Sequence, residues 1–256
     1  MIGPVKKTDV NTTGTARLNP GQFQAVHILD GPALILAGPG TGKTKVLTER
    51  IRFLTEEKRI MPERILVITF SKAAADEMKE RYLGLVNRKE TEVCFGTFHS
   101  VFLSLLKSEG KSGWGRVAER PDQIKALNQA MLSTYKKHVY TSDMLNLVLD
   151  EISKIKNGMG SDLAEARNIR KEYDQALSER KMLDYDDMLS KTLEMLADRK
   201  DIAGRVQSRF AYILIDEFQD INTVQYEIVK IIAGDRKNVF CVGDDDQSIY
   251  GFRGSD

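Results

Sequence analysis

The sequence predicts an α/β fold in which a parallel sheet carries helices on both faces and an all-helical insertion interrupts the chain. Short continuous apolar segments, 33–37 and 65–70, alternate with helical patterns, which is typical of parallel strands buried on both faces. Strand patterns then stop near residue 105 and return at 212–215 and 238–242. Because the late strands repeat the chemistry of the early ones, one interrupted domain explains this order better than two domains in series.

The early elements follow in a regular order. Apolar residues at helical spacing over 18–29 predict a first helix, and Gly31 and Pro32 end it. The strand at 33–37 leads into a glycine-rich loop and a second helix. The same criteria then predict a strand, a helix and a further strand, at 65–70, 73–81 and 92–96.

The middle of the chain is predicted to be a separate helical subdomain, at residues 105–181. Its helical segments are expected at 123–132, 142–156 and 162–178. An α/β domain would then comprise 18–104 and 182–256. Residues 1–17 lack the apolar centre of a secretory signal, and we expect them to form a disordered arm.

The amino-acid composition limits which classes of protein this chain can belong to. The chain has 256 residues, 41% of them apolar, which is enough to fill a core. Its 38 basic and 37 acidic residues leave no overall field that would favour nucleic acid or a membrane, so any such surface must be local. Cys94 and Cys241 both lie in apolar runs and are predicted to be buried strand thiols without zinc-type spacing. We expect a soluble, cytoplasmic protein with no membrane partner.

A phosphate-binding loop of the Walker A type lies at residues 37–44, AGPGTGKT, between a predicted strand and a predicted helix. Glycines allow consecutive backbone N–H groups to face phosphates, and the helix N-terminus adds its positive end. Lys43 is predicted to reach the β and γ phosphates and Thr44 to bind Mg²⁺. The predicted nucleotide contacts in this loop are Gly38, Gly40, Thr41, Gly42, Lys43 and Thr44.

A second acidic site follows the strand at 212–215. Asp216 and Glu217 fit the Walker B pattern, in which the aspartate holds Mg²⁺ and the glutamate orients and deprotonates the attacking water. An acidic strand end alone has a commoner structural meaning. Together with Lys43, the pair predicts a site for a nucleoside triphosphate with Mg²⁺.

Further segments make the chain resemble the N-terminal ATP-binding part of UvrD/PcrA/Rep-like superfamily 1 DNA helicases. They cover 18–253 and stand in that family's order. They resemble its Q motif at 18–22, motif Ia at 69–78, motif Ib at 96–100, the segment before motif II at 183–189, motif II at 216–225 and motif III at 242–254. The resemblance implies a RecA-like P-loop domain with a helical insertion.

The resemblance also implies roles at the nucleotide. Gln22 is expected to read the adenine edge, because an amide both donates and accepts hydrogen bonds. Gln247 is expected to contact the γ-phosphate or the attacking water and to report nucleotide state to the strand-binding residues. With Lys43 and Glu217, it completes the catalytic set.

Single-strand binding without sequence preference needs stacking surfaces and backbone contacts. The resemblance implies that Phe70, His99, Tyr250, Phe252 and Arg253 supply them. Phe252 stands where relatives usually carry tryptophan, so weaker stacking is expected there. Core packing remains the alternative for the phenylalanines, and the sequence leaves open whether the helical insertion contacts duplex DNA.

The function implied for the parent protein is ATP-dependent 3'-to-5' DNA unwinding, acting on a 3'-tailed duplex. The chain stops before motifs IV and VI, where the family carries its catalytic arginines. A second RecA-like domain is therefore expected as the missing partner, and little ATP turnover is expected from these residues alone. The alternatives are a nucleotide-gated single-strand-binding module and a fragment of a helicase-nuclease subunit of the RecB/AddA kind.

Overall fold

The computed structural model describes residues 18–110, 114–135 and 140–244. The strands there are, in chain order, β1 (Ala33–Leu36), β2 (Ile65–Thr69), β3 (Cys94–Thr97), β4 (Arg116–Val117), β5 (Met182–Leu183), β6 (Tyr212–Ile215) and β7 (Val239–Gly243). All but β4 and β5 form one parallel sheet in the spatial order β1-β7-β6-β2-β3. The carboxyl ends of these strands therefore meet along one edge, where the loops that carry the predicted motifs begin.

Helices cover both faces of this sheet or form the insertion. They are α1 (Pro20–Val26), α2 (Lys43–Arg52), α3 (Lys72–Val86), α4 (Phe98–Glu109), α5 (Arg120–Tyr135), α6 (Ser142–Lys156), α7 (Ala166–Glu179), α8 (Asp187–Asp198), α9 (Lys200–Arg209) and α10 (Thr223–Ala233). Short polar residues start several of them: Ser71 caps α3 and Thr141 caps α6 through their side-chain oxygens. The predicted α/β fold with a parallel sheet is confirmed.

The sheet core is divided by the alternation of side chains along each strand. In β2, Ile65 and Val67 pack with α1, α2 and α3, whereas Leu66 and Ile68 pack with α4, α8, α9 and α10. All four side chains are fully buried. This explains why the strand is continuously apolar in sequence instead of alternating with polar residues.

The insertion has a core of its own. Helices α5, α6 and α7 bury residues such as Leu127, Ile152 and Tyr173 against one another, apart from the sheet. The parallel pair of β4 and β5 closes this unit, an addition to the helices that the sequence predicted. At two residues each, these strands are too short to show a period-two pattern. Helix α4 runs on to Glu109 and keeps Leu105 in the sheet core, so the excursion starts after that helix.

The two cysteines differ in burial. Cys241, on the central strand β7, is buried, and burial raises the pKa of its thiol to about 12. Cys94 was predicted to be buried too, but it is only partly buried because β3 lies at the edge of the sheet. Across 18–110, 114–135 and 140–244, every helix is too short or too polar to span a bilayer.

Candidate functional site

The loop between β1 and α2 turns through glycines with left-handed backbone angles. Gly40 has φ 71° and Gly42 has φ 87°, a region that favours glycine. Gly42 directly precedes α2, and a Cβ atom built there would lie 3.0 Å from Nε2 of Gln22. Thr41 Oγ1 donates to the carbonyl of Gly38 at 2.7 Å, which closes the loop. The loop thus presents the N-terminus of α2 at the carboxyl edge of the sheet, a place suited to an anion.

The two Walker motifs meet at an ion pair. Lys43 is the first residue of α2, and its Nζ donates to Oε2 of Glu217 at 3.0 Å. The lysine side chain is 12% exposed and the glutamate side chain 34%. The residues predicted to bind and to hydrolyse a triphosphate therefore face each other across one gap.

Glu217 is held in a strained conformation. Its backbone has φ 50° and ψ 50°, a left-handed geometry that costs a residue with a Cβ atom about 1–2 kcal/mol. The amide of Gln219 donates to Oε2 of Glu217 at 2.8 Å, and the backbone N–H of Asp244 donates to Oε1 of Gln219 at 3.0 Å. Gln219 thereby connects the end of β7 to Glu217. Gln219 was not predicted as a site residue.

Asp216 directly follows β6 and is buried next to Glu217. Burial, and then the charge of Glu217, raise the pKa of the Asp216 carboxyl to about 6. Burial and the same charge raise the pKa of Asp220, whose Oδ1 is buried and accepts no hydrogen bond. Among the described residues, Lys43 is the cation whose charge acts on both Asp216 and Asp220, so the local negative charge suits a divalent cation.

Mg²⁺ characteristically takes one or two protein oxygens and completes its shell with phosphates and water. Asp216 and the hydroxyl of Thr44, the second residue of α2, are the oxygens that the sequence proposed for it. Among the residues that the structure describes, no group of three or more His, Cys, Asp or Glu side chains forms a closed metal cage.

Gln22 lies at the mouth of a cavity of about 520 Å³ that the phosphate loop shares. It forms a capping box with Asn19 at the start of α1, so its position is fixed by the backbone of that helix. Its Nε2 donates to the carbonyl of Thr41 at 2.9 Å. The amide predicted to read a base is thus attached to the loop predicted to hold the phosphates.

Arg50 fixes α1 to the helix of the phosphate loop. It is buried in α2, and its guanidinium donates to the carbonyls of Val26 at 3.1 Å and Ile28 at 2.5 Å. The same group lies 4.2 Å from the centre of the Phe240 ring. Burial lowers the pKa of Arg50 to about 10. Arg50 was not predicted as a site residue, because its partners are backbone carbonyls, which no sequence pattern identifies.

A second cavity, of about 590 Å³, opens between the sheet domain and the insertion. The predicted strand-binding residues Phe70 and His99 line it, and Phe70 is 42% exposed. The ring of Tyr185 stacks on His99 with centroids 3.7 Å apart and an angle of 19° between the planes. Tyr185 is 56% exposed and lies in the segment that resembled the family before motif II. It was not predicted as a site residue.

The arrangement of motifs agrees with comparison to known proteins. Residues 18–256 match the UvrD/REP helicase N-terminal domain family. The chain belongs to this family. YjcD of Bacillus subtilis is 37% identical to this chain in an alignment that covers 96% of the chain and 34% of YjcD. The ATP-dependent DNA helicases PcrA of Staphylococcus epidermidis and Staphylococcus aureus are each 35% identical over 93% of this chain.

The UvrD/REP-type chain spans about a third of the length of these curated relatives. Within it, the structure brings Lys43 and Glu217 together, with Gln22 against the phosphate loop. It places Phe70 and His99 in one cavity. The predicted residues Gln247, Tyr250, Phe252 and Arg253, and the predicted arm at 1–17, lie outside the described residues.

Proposed function

We propose that this chain is the ATP-binding and single-stranded-DNA-binding N-terminal part of an ATP-dependent DNA helicase. One observation carries the proposal: Lys43 Nζ, at the start of the phosphate-loop helix, lies 3.0 Å from Oε2 of Glu217, at the end of β6. A binding lysine and a catalytic carboxylate at this distance bracket the space that a γ-phosphate and its attacking water need. The names of the PcrA relatives agree with this chemistry.

In the proposed mechanism, Lys43 exchanges Glu217 for phosphate oxygens when a nucleotide binds. An arriving triphosphate gives Lys43 a stronger anionic partner, and the lysine leaves Glu217 for the phosphate oxygens. Backbone N–H groups of the loop and the N-terminus of α2 stabilise the remaining phosphate charge. Gln22, fixed by its capping box, is placed to bond the base.

Release from Lys43 prepares Glu217 for catalysis. Its carboxylate becomes available to orient the attacking water and to accept a proton from it. Thr44 and Asp216 would hold Mg²⁺, which supplies charge neutralisation at the phosphates when bound. The low solvent access of Asp216 strengthens the interaction of its charge with the cation. Gln247 is proposed to contact the γ-phosphate or this water.

The strand site is proposed for the cavity beside the insertion. Phe70, His99 and Tyr185 present ring faces there, and every base can stack on such faces whatever its identity. Tyr250, Phe252 and Arg253 are proposed to extend the same surface. For the whole protein we propose 3'-to-5' unwinding of a tailed duplex, with a second RecA-like domain that supplies arginines to the nucleotide.

Separate titrations of the 256-residue chain test the proposal. A fluorescent ATP analogue with Mg²⁺ reports the first site, and fluorescein-labelled oligo-dT reports the second. We expect Lys43→Ala to weaken nucleotide binding at least about tenfold, because a charge-assisted contact is worth more than about 1.4 kcal/mol. Phe70→Ala and Phe252→Ala should each weaken oligo-dT binding about five-fold or more, since one stacked base contributes about 1–3 kcal/mol.

Matched control variants complete the design. Lys79→Ala removes one exposed lysine charge from α3, and Tyr226→Ala removes an exposed ring from α10 outside the strand cavity. Both should bind each ligand within about twofold of the unaltered chain, a change below 0.5 kcal/mol. Unchanged nucleotide binding by Lys43→Ala would overturn the nucleotide site. Unchanged oligo-dT binding by both phenylalanine variants would overturn the strand site.

A further inference from the structure

A network of polar side chains joins the two proposed sites through the insertion. Its centre is Asn157, which follows the last residue of α6. Its Oδ1 accepts from Nδ2 of Asn222 at 2.9 Å, and its Nδ2 donates to Oδ1 of Asp186 at 2.9 Å. The same Nδ2 donates to the carbonyl of Ser153 at 2.9 Å. Three directed bonds fix the orientation of this amide.

On the nucleotide side, the network starts five residues after Glu217. The 3₁₀ turn Phe218–Asp220 leads directly to Asn222, which caps α10. Oδ1 of Asn222 accepts from the backbone of Gln225, which leaves its Nδ2 to bond Asn157. Asn222 is 8% exposed, so water competes little for this bond. A movement of the turn is therefore transmitted to Asn157.

On the strand side, the network ends beside the stacked rings. Asp186, the partner of Asn157, directly follows Tyr185, whose ring lies on His99 in the strand cavity. Asn157 and Asp186 themselves line that cavity. A displacement of Asn157 thus changes the position of the backbone that carries Tyr185.

The neighbouring residue fixes this end of α6. Lys156 is fully buried, and its Nζ lies 2.8 Å from oxygens of Asp174, Asp184 and Asp187. We name these four residues the Lys156 cluster. Two of its aspartates flank the short segment that contains Tyr185 and Asp186. The cluster holds α6, α7 and the start of α8 together as one unit. A displacement of Asn157 is therefore expected to move the segment that carries Tyr185.

We propose that Asn157 is a positioning residue that couples nucleotide state to single-strand affinity through Asn222 and Tyr185. This rests on the proposed function, because it requires a nucleotide at Lys43 and a strand at Tyr185. When Lys43 leaves Glu217 for a phosphate, the turn after Glu217 that leads to Asn222 changes position. Asn157 passes the change to Asp186, and the stacking surface at Tyr185 responds.

The test measures a coupling factor, the ratio of oligo-dT dissociation constants with and without saturating non-hydrolysable ATP analogue and Mg²⁺. Asn222→Ser keeps an oxygen that can cap α10 but removes the donor to Asn157. Asn157→Leu removes the whole amide at similar size. Asn146→Leu is the matched control, because Asn146 lies on the same helix and bonds Arg120 within the insertion.

We expect a coupling factor of about five or more in the unaltered chain, a typical size for linked sites. It should fall to within twofold of one in Asn222→Ser and in Asn157→Leu, with no further fall in the double variant. Nucleotide binding without oligo-dT should stay within about threefold, which a merely structural role of these residues does not predict, and the coupling factor, as a ratio, cancels any direct change in oligo-dT affinity at the cavity. Asn146→Leu should keep the full factor.

Other outcomes overturn the inference in distinguishable ways. Full coupling in both test variants, or equal loss in Asn146→Leu, shows that the amide network does not carry the signal. A coupling factor of one in an unaltered chain that binds both ligands defeats the inference but leaves the proposed function intact. An unaltered chain that binds neither ligand defeats the proposed function, and the inference with it.

Discussion

Lys156 and Lys43 both face carboxylates, and the balance of charges around these two lysines differs. In the Lys156 cluster, the aspartates are also approached by Lys191 at 3.6 Å and Arg170 at 3.2 Å, so three cations balance three carboxylates. At the nucleotide site, Lys43 is the cation that the described part of the chain places against Glu217, and two further carboxylates lie close by. The charges of the Lys156 cluster are therefore balanced by the protein's own side chains. The nucleotide site carries an excess of negative charge that a divalent cation can neutralise.

Proton affinities show the same contrast. Burial lowers the pKa of Lys156, but the charges of its three aspartates outweigh burial and raise the pKa above its ordinary value. At the nucleotide site, burial raises the pKa of Asp216 to about 6, and Lys43 compensates only in part. Within the cluster, burial likewise raises the pKa of Asp184, whereas at Asp187 burial is outweighed by the charges of Lys156 and Lys191, which lower the pKa. The cluster's own cations thus offset charge that a ligand would offset at Asp216.

The largest expected effect comes from breaking the Lys156 cluster. Lys156→Met leaves buried aspartates without their central cation, and we expect a loss of about 3–5 kcal/mol in the free energy of unfolding. Urea unfolding followed by circular dichroism measures it. Lys154→Met, on the same helix but 42% exposed, should change stability by less than about 1 kcal/mol. Equal effects of the two variants would contradict the comparison.

Sequence alone indicated the proposed nucleotide site but not the Lys156 cluster. The phosphate loop is a local pattern, in which strand, glycine turn and Lys43 follow within a few residues, and Asp216 marks a strand end. Buried parallel strands are equally local, since each is a short apolar run. This is why the fold and the Lys43–Glu217 side of the site were predictable.

The residues that were missed depend on contacts between distant segments. Lys156 bonds Asp184 and Asp187, 28 and 31 residues further along the chain. Arg50 binds backbone carbonyls, and the stacking of Tyr185 on His99 requires the insertion to return to the sheet. In sequence, Lys156 is simply one lysine among 38 basic residues. Only folding distinguishes a buried lysine from a solvated one.

The second prediction concerns the cost of the excess charge. The folded pKa of Asp216, about 6, exceeds its ordinary value of 3.8, so the folded state retains a proton that the unfolded state loses between these pH values. The stability contributed by this proton is full below pH 4 and is lost as pH rises through about 6. Asp216→Asn should therefore raise stability at pH 7 by up to about 3 kcal/mol.

Urea unfolding without metal or nucleotide, at pH 4 and pH 7, measures this gain. The gain should fall below about 1 kcal/mol at pH 4, because Asp216 is then protonated in the folded state and partly protonated in the unfolded state, whose pKa is 3.8. The same substitution should weaken Mg²⁺-dependent nucleotide binding, since a proposed metal oxygen loses its charge. A variant that is less stable than the unaltered chain at pH 7 would show that Asp216 is not held at an energetic cost.

A third, smaller effect separates backbone strain from charge. At Glu217, with its left-handed φ of 50°, we expect the Gly variant to be more stable than the Ala variant by about 1 kcal/mol. At Asp174, inside α7 of the Lys156 cluster, the order should reverse, and Gly should be less stable than Ala by about 1 kcal/mol. Thermal unfolding of the four variants provides the measurement. If the Gly variant at position 217 is no more stable than the Ala variant, the backbone of Glu217 is not strained.

The smallest stability effect should come from the lysine that matters most for nucleotide binding. Lys43→Met removes an ion pair whose glutamate is 34% exposed, and solvent screening limits its contribution to less than about 1 kcal/mol. The change should be close to zero, because Glu217 gains access to water when the lysine is absent. Urea unfolding beside Lys156→Met makes the contrast quantitative. Comparable losses would mean that Lys43 and Glu217 form a structural pair, and the assignment of that gap to a triphosphate would then fail.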